Sequence, residues 1–280
     1  MAAREQEQQG PAIAHLVRDW PVRRLEGEAP PQPGRDAVAL EQPLELRVDG
    51  QVLAVLMRTP GHDRELAVGL LAAEGVVRAP GDVAAIAESE LAVALTLAPA
   101  ARARTPASRR LLLTTSACGV CAQTALGEVL ERFGRVPAVA APALRRSVLY
   151  QLPERLAAAQ RGFARSGGLH AAALFDRDGA LLCAREDVGR HNALDKVLGA
   201  RLLAGALPAA GQLVLVSGRA SYELAAKAVA LGAAVLAAVS APSSLAIELA
   251  ERAGLTLIGF LRGESMNVYT HPERIEGALA

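Results

Sequence analysis

Apolar and polar positions alternate through Leu44, Leu46 and Val48, break at Asp49-Gly50 and resume from Val52 to Met57. That pattern predicts a hairpin closed by a two-residue type I′ turn. Thr59-Pro60-Gly61-His62-Asp63 then interrupts the strand, and Asp63 is placed to cap a helix running through Leu66, Leu70 and Leu71 to a stop at Gly75. Glu65 suits the positive end of that helix. Leu91 to Leu97 reads as another strand, and Ala98 to Ser108, with Pro106 and several arginines, as a domain boundary.

Beyond Arg110 the spacing changes. Leu111 to Thr115 form a short apolar run, and Ala122, Ala125, Leu126, Val129, Leu130 and Phe133 recur at helical intervals. A second hairpin is expected from Ala171 to Phe175 and Ala180 to Arg185, then a helix from about Arg190 to Leu203. Apolar runs of strand length follow at 213–216, 234–239 and 255–260, separated by helical stretches at 222–231 and 244–252. Such a βαβαβ unit calls for parallel strands covered by helices on both faces.

Composition supports an α/β fold. Hydrophobic residues make up 51% of the 280, yet aromatics only 3%, so the core is built from Ala, Leu and Val. Residues 1–37, with Pro30, Pro31, Pro33 and Gly34 near their end, read as a flexible leader. Residues 38–108 then form an N-terminal α+β domain and residues 109–280 a C-terminal α/β domain. The formal net charge is +1, so no global field draws the chain to nucleic acid or anionic lipid. Met1 to Gly10 lacks the apolar stretch of a secretory signal, and Gly232 and Pro242 interrupt the uncharged run 228–247, which suits neither export nor a membrane span. Three cysteines do not make the even framework of a secreted scaffold, so a reducing, cytoplasmic setting is expected.

Candidate chemistry concentrates in a few segments. Cys118-Gly119-Val120-Cys121 joins the short strand to the helix, where the helix dipole and free N–H groups favour a thiolate. Disulfide exchange, metal binding and persulfide formation all use such a thiolate, and spacing alone does not choose among them. No second C-x-x-C completes a structural zinc site, although Cys118, Cys121 and His170 could form a catalytic one. Cys183, inside a strand, suits a buried, inert thiol. Glu186 to Lys196 is dense in polar groups: Asp187 could orient His191, and Asp195 lies one turn from His191. Ser217-Gly218-Arg219, Ser240 to Ser244 and Phe260 to Ser265 each follow one parallel strand, where open α/β sheets hold nucleotide-like ligands. No G-x-x-x-x-G-K-[ST] or G-x-G-x-x-G is present, which disfavours an ordinary ATPase or dinucleotide dehydrogenase.

Together these segments resemble the formate dehydrogenase accessory sulfurtransferases, the FdhD family. The likeness rests on Pro60-Gly61-His62-Asp63-Arg64-Glu65-Leu66-Ala67 with Glu74-Gly75, on Cys118 to Cys121, on Glu186 to Lys196, on Ser217 to Lys227 and on Gly259 to Tyr269. It implies a sulfur relay that accepts a persulfide from a cysteine desulfurase and passes the sulfur to molybdenum bis(molybdopterin guanine dinucleotide), the cofactor of formate dehydrogenase. The cofactor is bound as substrate, no permanent metal is expected, and the implied assembly is a homodimer serving the formate dehydrogenase apoenzyme. The implied fold is a cytidine-deaminase-like α/β/α domain with a smaller α+β domain before it. Carried onto this sequence, Cys118 bears the persulfide and Cys121 is its partner, while Phe260, Leu261, Arg262, Gly263, Glu264 and Ser265 lie against the guanine dinucleotide. Ser217, Gly218, Arg219, Lys227 and His191 complete the cofactor-binding set, with Arg219, Lys227 and Arg262 offsetting phosphates. Ala122 departs from the glycine common after the second cysteine.

Three rivals stand beside this reading. A zinc hydrolase of the deaminase type would need H-x-E ahead of P-C-x-x-C, whereas His170 is followed by Ala171-Ala172. A non-catalytic cofactor chaperone would use the two thiols only as a redox latch. A thioredoxin-like oxidoreductase would need W-C-G-P-C surroundings that this loop lacks.

Overall fold

A computed structural model describes residues 15–105, 122–138 and 144–279, the side chains of 122–125 excepted. Cys118, Cys121 and the strand expected at 111–115 lie outside the described residues, as does much of the boundary expected near 108.

The chain opens with an antiparallel pair, β1 (Val17–Arg24) and β2 (Gln32–Ala39), in register from Val17 opposite Ala39 to Arg24 opposite Gln32. This corrects the expectation of a leader through residue 37. Both strands are largely exposed, and Trp20 is 52% exposed, so neither carries the alternation by which a half-buried strand is read.

The expected first hairpin is β3 (Gln42–Val48) and β4 (Gln51–Arg58). Asp49 and Gly50 both have positive φ, as a type I′ turn requires. Strands β5 (Val83–Ser89) and β6 (Ala92–Leu97) complete a four-stranded sheet in the order β4-β3-β6-β5, with β3 parallel to β6. A short helix, α2 (Pro99–Ala103), follows β6. Between β4 and β5 runs helix α1 (Asp63–Ala73), which ends at Glu74 with Gly75 left-handed. Asp63 does not cap it. His62 occupies the cap position in a left-handed conformation without a side-chain cap, and the Asp63 carboxylate instead accepts from Arg58 Nε and Nη2 at 3.0 and 2.8 Å.

Helices α3 (Ala122–Phe133), α4 (Arg146–Ala159) and α5 (Arg161–Ser166) lead into a six-stranded sheet. Its strands are β7 (His170–Phe175), β8 (Leu181–Asp187), β9 (Leu213–Val216), β10 (Val235–Ala238), β11 (Thr256–Arg262) and β12 (Ser265–Val268). They stand in the order β12-β11-β10-β9-β7-β8, and β9, β10 and β11 are parallel as expected. Helices α6 (Arg190–Leu203), α7 (Tyr222–Leu231) and α8 (Ser244–Ala253) separate the central strands.

Alternation explains why this sheet is covered on both faces. Ala172, Leu174, Val214, Val216, Leu236 and Leu257 join one core with Leu194, Leu198, Leu224 and Leu249 of α6, α7 and α8. Ala171, Ala173, Leu213, Leu215, Val235 and Ile258 join the other with Leu149, Leu152 and Leu156 of α4. The first core runs on into Leu44, Leu46, Leu66, Val93 and Leu95, so the four-stranded sheet, α1 and α6 share one apolar interior. There α1 crosses α6 at two glycines. A methyl placed on Gly69 would stand 1.8 Å from the Asp195 carbonyl oxygen, and one on Gly199 would stand 1.9 Å from that of Glu65.

Candidate functional site

The loops at the carboxyl ends of β9, β10 and β11 are laced together by main-chain hydrogen bonds. Ser240 N donates to Gly218 O, Ala220 N to Ala241 O, Ser243 N to Ala220 O and Phe260 N to Ser240 O, all between 3.0 and 3.2 Å. The N-terminal ends of α6, α7 and α8 follow segments that reach this rim, so positive helix ends gather around it. Gly259 lets the β11 turn approach closely: a methyl there would lie 2.8 Å from Pro242 Cδ. Phe260 then adopts φ 53 at a bulge in the β11–β12 ladder. The bulge leaves the Phe260 ring 38% exposed and puts Leu261 wholly inside the core behind the sheet. Leu261 is therefore a packing residue and corrects the expectation that it lies against a ligand.

The remaining residues expected at the crevice divide sharply. Arg219, Arg262, Gly263, Glu264 and Ser265 are exposed on the rim, with Arg262 Nε donating to Val239 O at 2.8 Å. Ser217 Oγ accepts from Ala171 N at 2.9 Å, which ties the first loop to β7. His191 Nε2 stands 3.3 Å from Ser221 Oγ and 3.7 Å from Glu223 Oε2. The bond from His191, outweighing partial burial, holds the Glu223 carboxyl down at about 2. Lys227 does not reach the rim: it is buried, and its Nζ pairs with Asp195 Oδ1 at 2.6 Å. Burial pushes the Asp195 carboxyl upward, against the pull of Lys227.

Asp187 is likewise committed elsewhere than expected. Its wholly buried carboxylate meets Lys196 Nζ at 2.7 Å and accepts from Thr59 N at 3.2 Å, Gly189 N at 2.8 Å and Asn192 Nδ2 at 3.0 Å. Lys196 Nζ also donates to Thr59 O at 2.8 Å, and Val188 N to Thr59 Oγ1 at 3.1 Å. This knot ties the Thr59 loop to the entrance of α6 and sets where Arg190 and His191 stand. His170, opposite Asp187 in the β7–β8 register, sits beside Gly218. Burial, then the Arg190 and His191 charges, push its pKa below the usual imidazole range.

A second cluster lies behind the first. Glu65 accepts from Arg185 Nε and Nη2 at 2.6 and 2.8 Å and meets His62 Nδ1 at 3.2 Å. Burial alone would raise the Glu65 carboxyl, but these partners bring it down to about 2. Cys183 sits nearby in β8, and burial raises its thiol above the ordinary value, as an inert strand cysteine requires. A carboxyl whose folded pKa is depressed stabilises the fold above its unfolded pKa, and that stability is lost as pH falls through the folded value. The expected window therefore runs from 4.5 down to about 2. Urea midpoints should show Glu65→Gln costing up to about 3 kcal/mol at pH 7 and little at pH 2. An equal loss at both pH values would refute the assignment.

A family model described as the FdhD/NarQ family matches residues 39–276. The chain belongs to that family. A protein of Streptomyces coelicolor named sulfur carrier protein FdhD is 46% identical over 91% of this chain and 93% of its own. Its namesake in Mycobacterium tuberculosis is 46% identical over 94% and 96%, and that in Nocardia farcinica 48% over 88% and 90%. The fold is that of a crystal structure from Desulfotalea psychrophila described as a formate dehydrogenase accessory protein. It has a TM-score of 0.73 and 23% identity, covering 93% of this chain and 99% of that one. Within this FdhD/NarQ chain Thr59, just before the Pro60 to Ala67 motif, donates to Asp187 of the Glu186 to Lys196 motif, Glu65 pairs with the adjoining Arg185, and His191 reaches Ser221 of the Ser217 to Lys227 motif. Among the described residues no three His, Cys, Asp or Glu side chains converge as a metal ion would require, and no helix is long and apolar enough to cross a membrane. Sequence reading gave Arg190 no role of its own, named His170 only as a candidate zinc ligand, and did not foresee Thr59 in the Asp187 knot. For Thr59 the only signal was an unexplained polar residue after a strand.

Proposed function

We infer that this protein is a sulfur carrier in formate dehydrogenase maturation, carrying sulfane sulfur on Cys118. What supports the reading most is the curated relatives named sulfur carrier protein FdhD, 46% to 48% identical along nearly the whole chain. The rim of three laced loops, with helix N-termini behind it and Arg219 and Arg262 exposed on it, suits an anionic nucleotide portion of the molybdenum substrate. The exposed Phe260 ring offers a face to a base, and Gly263, Glu264 and Ser265 border it.

In the proposed relay the Cys118 thiolate attacks the outer sulfur of a cysteine desulfurase persulfide, and the desulfurase thiolate leaves. Cys121 then attacks the inner sulfur of the Cys118 persulfide. The S–S bond breaks, sulfide is released to the molybdenum, and a Cys118–Cys121 disulfide forms. The two electrons on the sulfide come from the two cysteines, so a dithiol reductant must regenerate them. Such chemistry needs a reducing compartment, the cytoplasm, and a formate dehydrogenase apoenzyme to take the finished cofactor. A homodimer would present two such relays.

Intact-protein mass spectrometry after incubation with a cysteine desulfurase and cysteine tests the reading. The expected result is a gain of one sulfur that a reductant removes and that Cys118→Ala abolishes. An unchanged mass, with formate dehydrogenase still matured by Cys118→Ala, would make the protein a cofactor chaperone instead.

A further inference from the structure

Among the described residues Arg190, at the crevice, has no carboxylate partner. Arg190 opens α6, and its Nε is buried without a hydrogen-bond partner among the described residues. A buried donor left unpaired costs free energy unless an acceptor completes it, so its acceptor is to be sought in a ligand. The nearby carboxylates are engaged: Asp187 holds Lys196, Thr59, Gly189 and Asn192, and Glu223 faces His191.

Next to Arg190 the wall is cut away at Gly218. A methyl built there would meet His170 Nδ1 at 3.5 Å, His170 Cε1 at 3.6 Å and Arg190 Cδ at 4.0 Å. All three are ordinary van der Waals distances, so the face that Gly218 leaves bare lies between the His170 ring and the aliphatic stem of Arg190. The charged groups acting on His170 are Arg190 and His191 from α6 and Asp187 from β8, while the loop after β9 contributes the uncharged Ser217 and Gly218.

We propose that the space above Gly218 seats a doubly charged anion between Arg190 and His170, and that His170 takes up a proton as the anion docks. Arg190 supplies one fixed positive charge, and a dianion leaves one negative charge uncompensated beside the imidazole. In the empty crevice burial, then Arg190 and His191, disfavour the charged His170 ring. The docked dianion reverses that balance. Binding therefore strengthens as pH falls through the bound-state pKa of His170, by at most about tenfold per pH unit for one proton. The proposal rests on reading this crevice as the place of the cofactor's phosphate-bearing portion, and it assigns the anion contact to Arg190 and His170 in place of the buried Lys227.

Sulfate is a suitable probe, since it stays a dianion from pH 5.5 to 8.5. The chain has only five histidines, so imidazole Cε1–H resonances can be followed singly by NMR and His170 assigned from His170→Asn. Against sodium chloride of equal ionic strength, sulfate should raise the His170 titration midpoint by about one pH unit or more. Arg190→Gln should weaken sulfate about tenfold or more and hold the midpoint in place. Gly218→Ala, whose methyl fits the protein, should block sulfate while leaving the thermal midpoint unchanged. An unmoved His170 midpoint in wild type, or wild-type sulfate affinity in both Arg190→Gln and Gly218→Ala, overturns the proposal. Sulfur loading of Cys118 is read separately by mass, so loss of the relay with sulfate binding intact would fell the relay reading and leave this seat standing.

Discussion

Gly199→Ala is expected to lower the urea midpoint by the equivalent of roughly 3 kcal/mol or more, a large part of a typical domain's stability. The new methyl would lie 1.9 Å from the Glu65 carbonyl oxygen, and both the oxygen and the carrying Cα belong to helix backbones that cannot rotate away. Relief requires α1 and α6 to separate. Their contact buries Leu66, Val68, Leu194, Val197 and Leu198, so a shift of an ångström loosens packing along both helices. Alanine's better helix propensity, about 1 kcal/mol over glycine, acts in the opposite direction and is outweighed. Gly69→Ala should behave alike, because its methyl meets the Asp195 carbonyl oxygen at 1.8 Å. A midpoint within about 0.5 kcal/mol of wild type for either variant would show that the two helices can part without loss.

This crossing also explains how the two sheets serve one site. Asp195 and Lys196 are consecutive on α6 and pair in different directions, Asp195 with Lys227 of α7 and Lys196 with Asp187 at the end of β8. α6 is thereby clamped between α7 and the Thr59 loop while Gly69 and Gly199 hold it against α1. Arg190 and His191, at its first turn, inherit that rigidity.

The strands and helices from 170 to 260 were legible because burial on two faces produces uninterrupted apolar runs of strand length between helical periods. Helices α6 and α7 begin and end at the residues expected. What could not be read has physical reasons. β1 and β2 bury almost nothing, and Pro21 and Pro33 inside them argue for loop. β5 is mostly exposed small residues, and α4 carries Pro153 in its interior. At the site, the polar density of 186–196 was visible but its pairing was not. The expected Asp187–His191 and Asp195–His191 relations are local, whereas the observed partners include Thr59, 128 residues from Asp187, and Lys227. Long-range pairing of buried charges leaves no periodicity to detect. The lysine assigned to phosphate was in fact balancing an aspartate inside the core.

Asp187→Ala is expected to cost about 3 to 5 kcal/mol, the range for removing one partner of a buried ion pair. Lys196 is 1% exposed and would keep only the carbonyl oxygens of Thr59 and Glu186 for company. Thr59 N, Gly189 N and Asn192 Nδ2 would lose an acceptor in the same stroke. Asp187→Asn separates charge from shape. It keeps one carbonyl oxygen as acceptor but leaves the Lys196 charge uncompensated, so most of the loss should persist. A paired Asp187→Asn, Lys196→Met variant removes both charges and should recover part of the stability, since apolar replacements of buried ion pairs are often tolerated. Chemical denaturation at pH 7 of wild type, Asp187→Ala, Asp187→Asn, Lys196→Met and the paired variant decides the matter. If the paired variant is as unstable as the sum of its singles, the knot's strength lies in its main-chain hydrogen bonds and the Asp187–Lys196 charge pair adds nothing of its own.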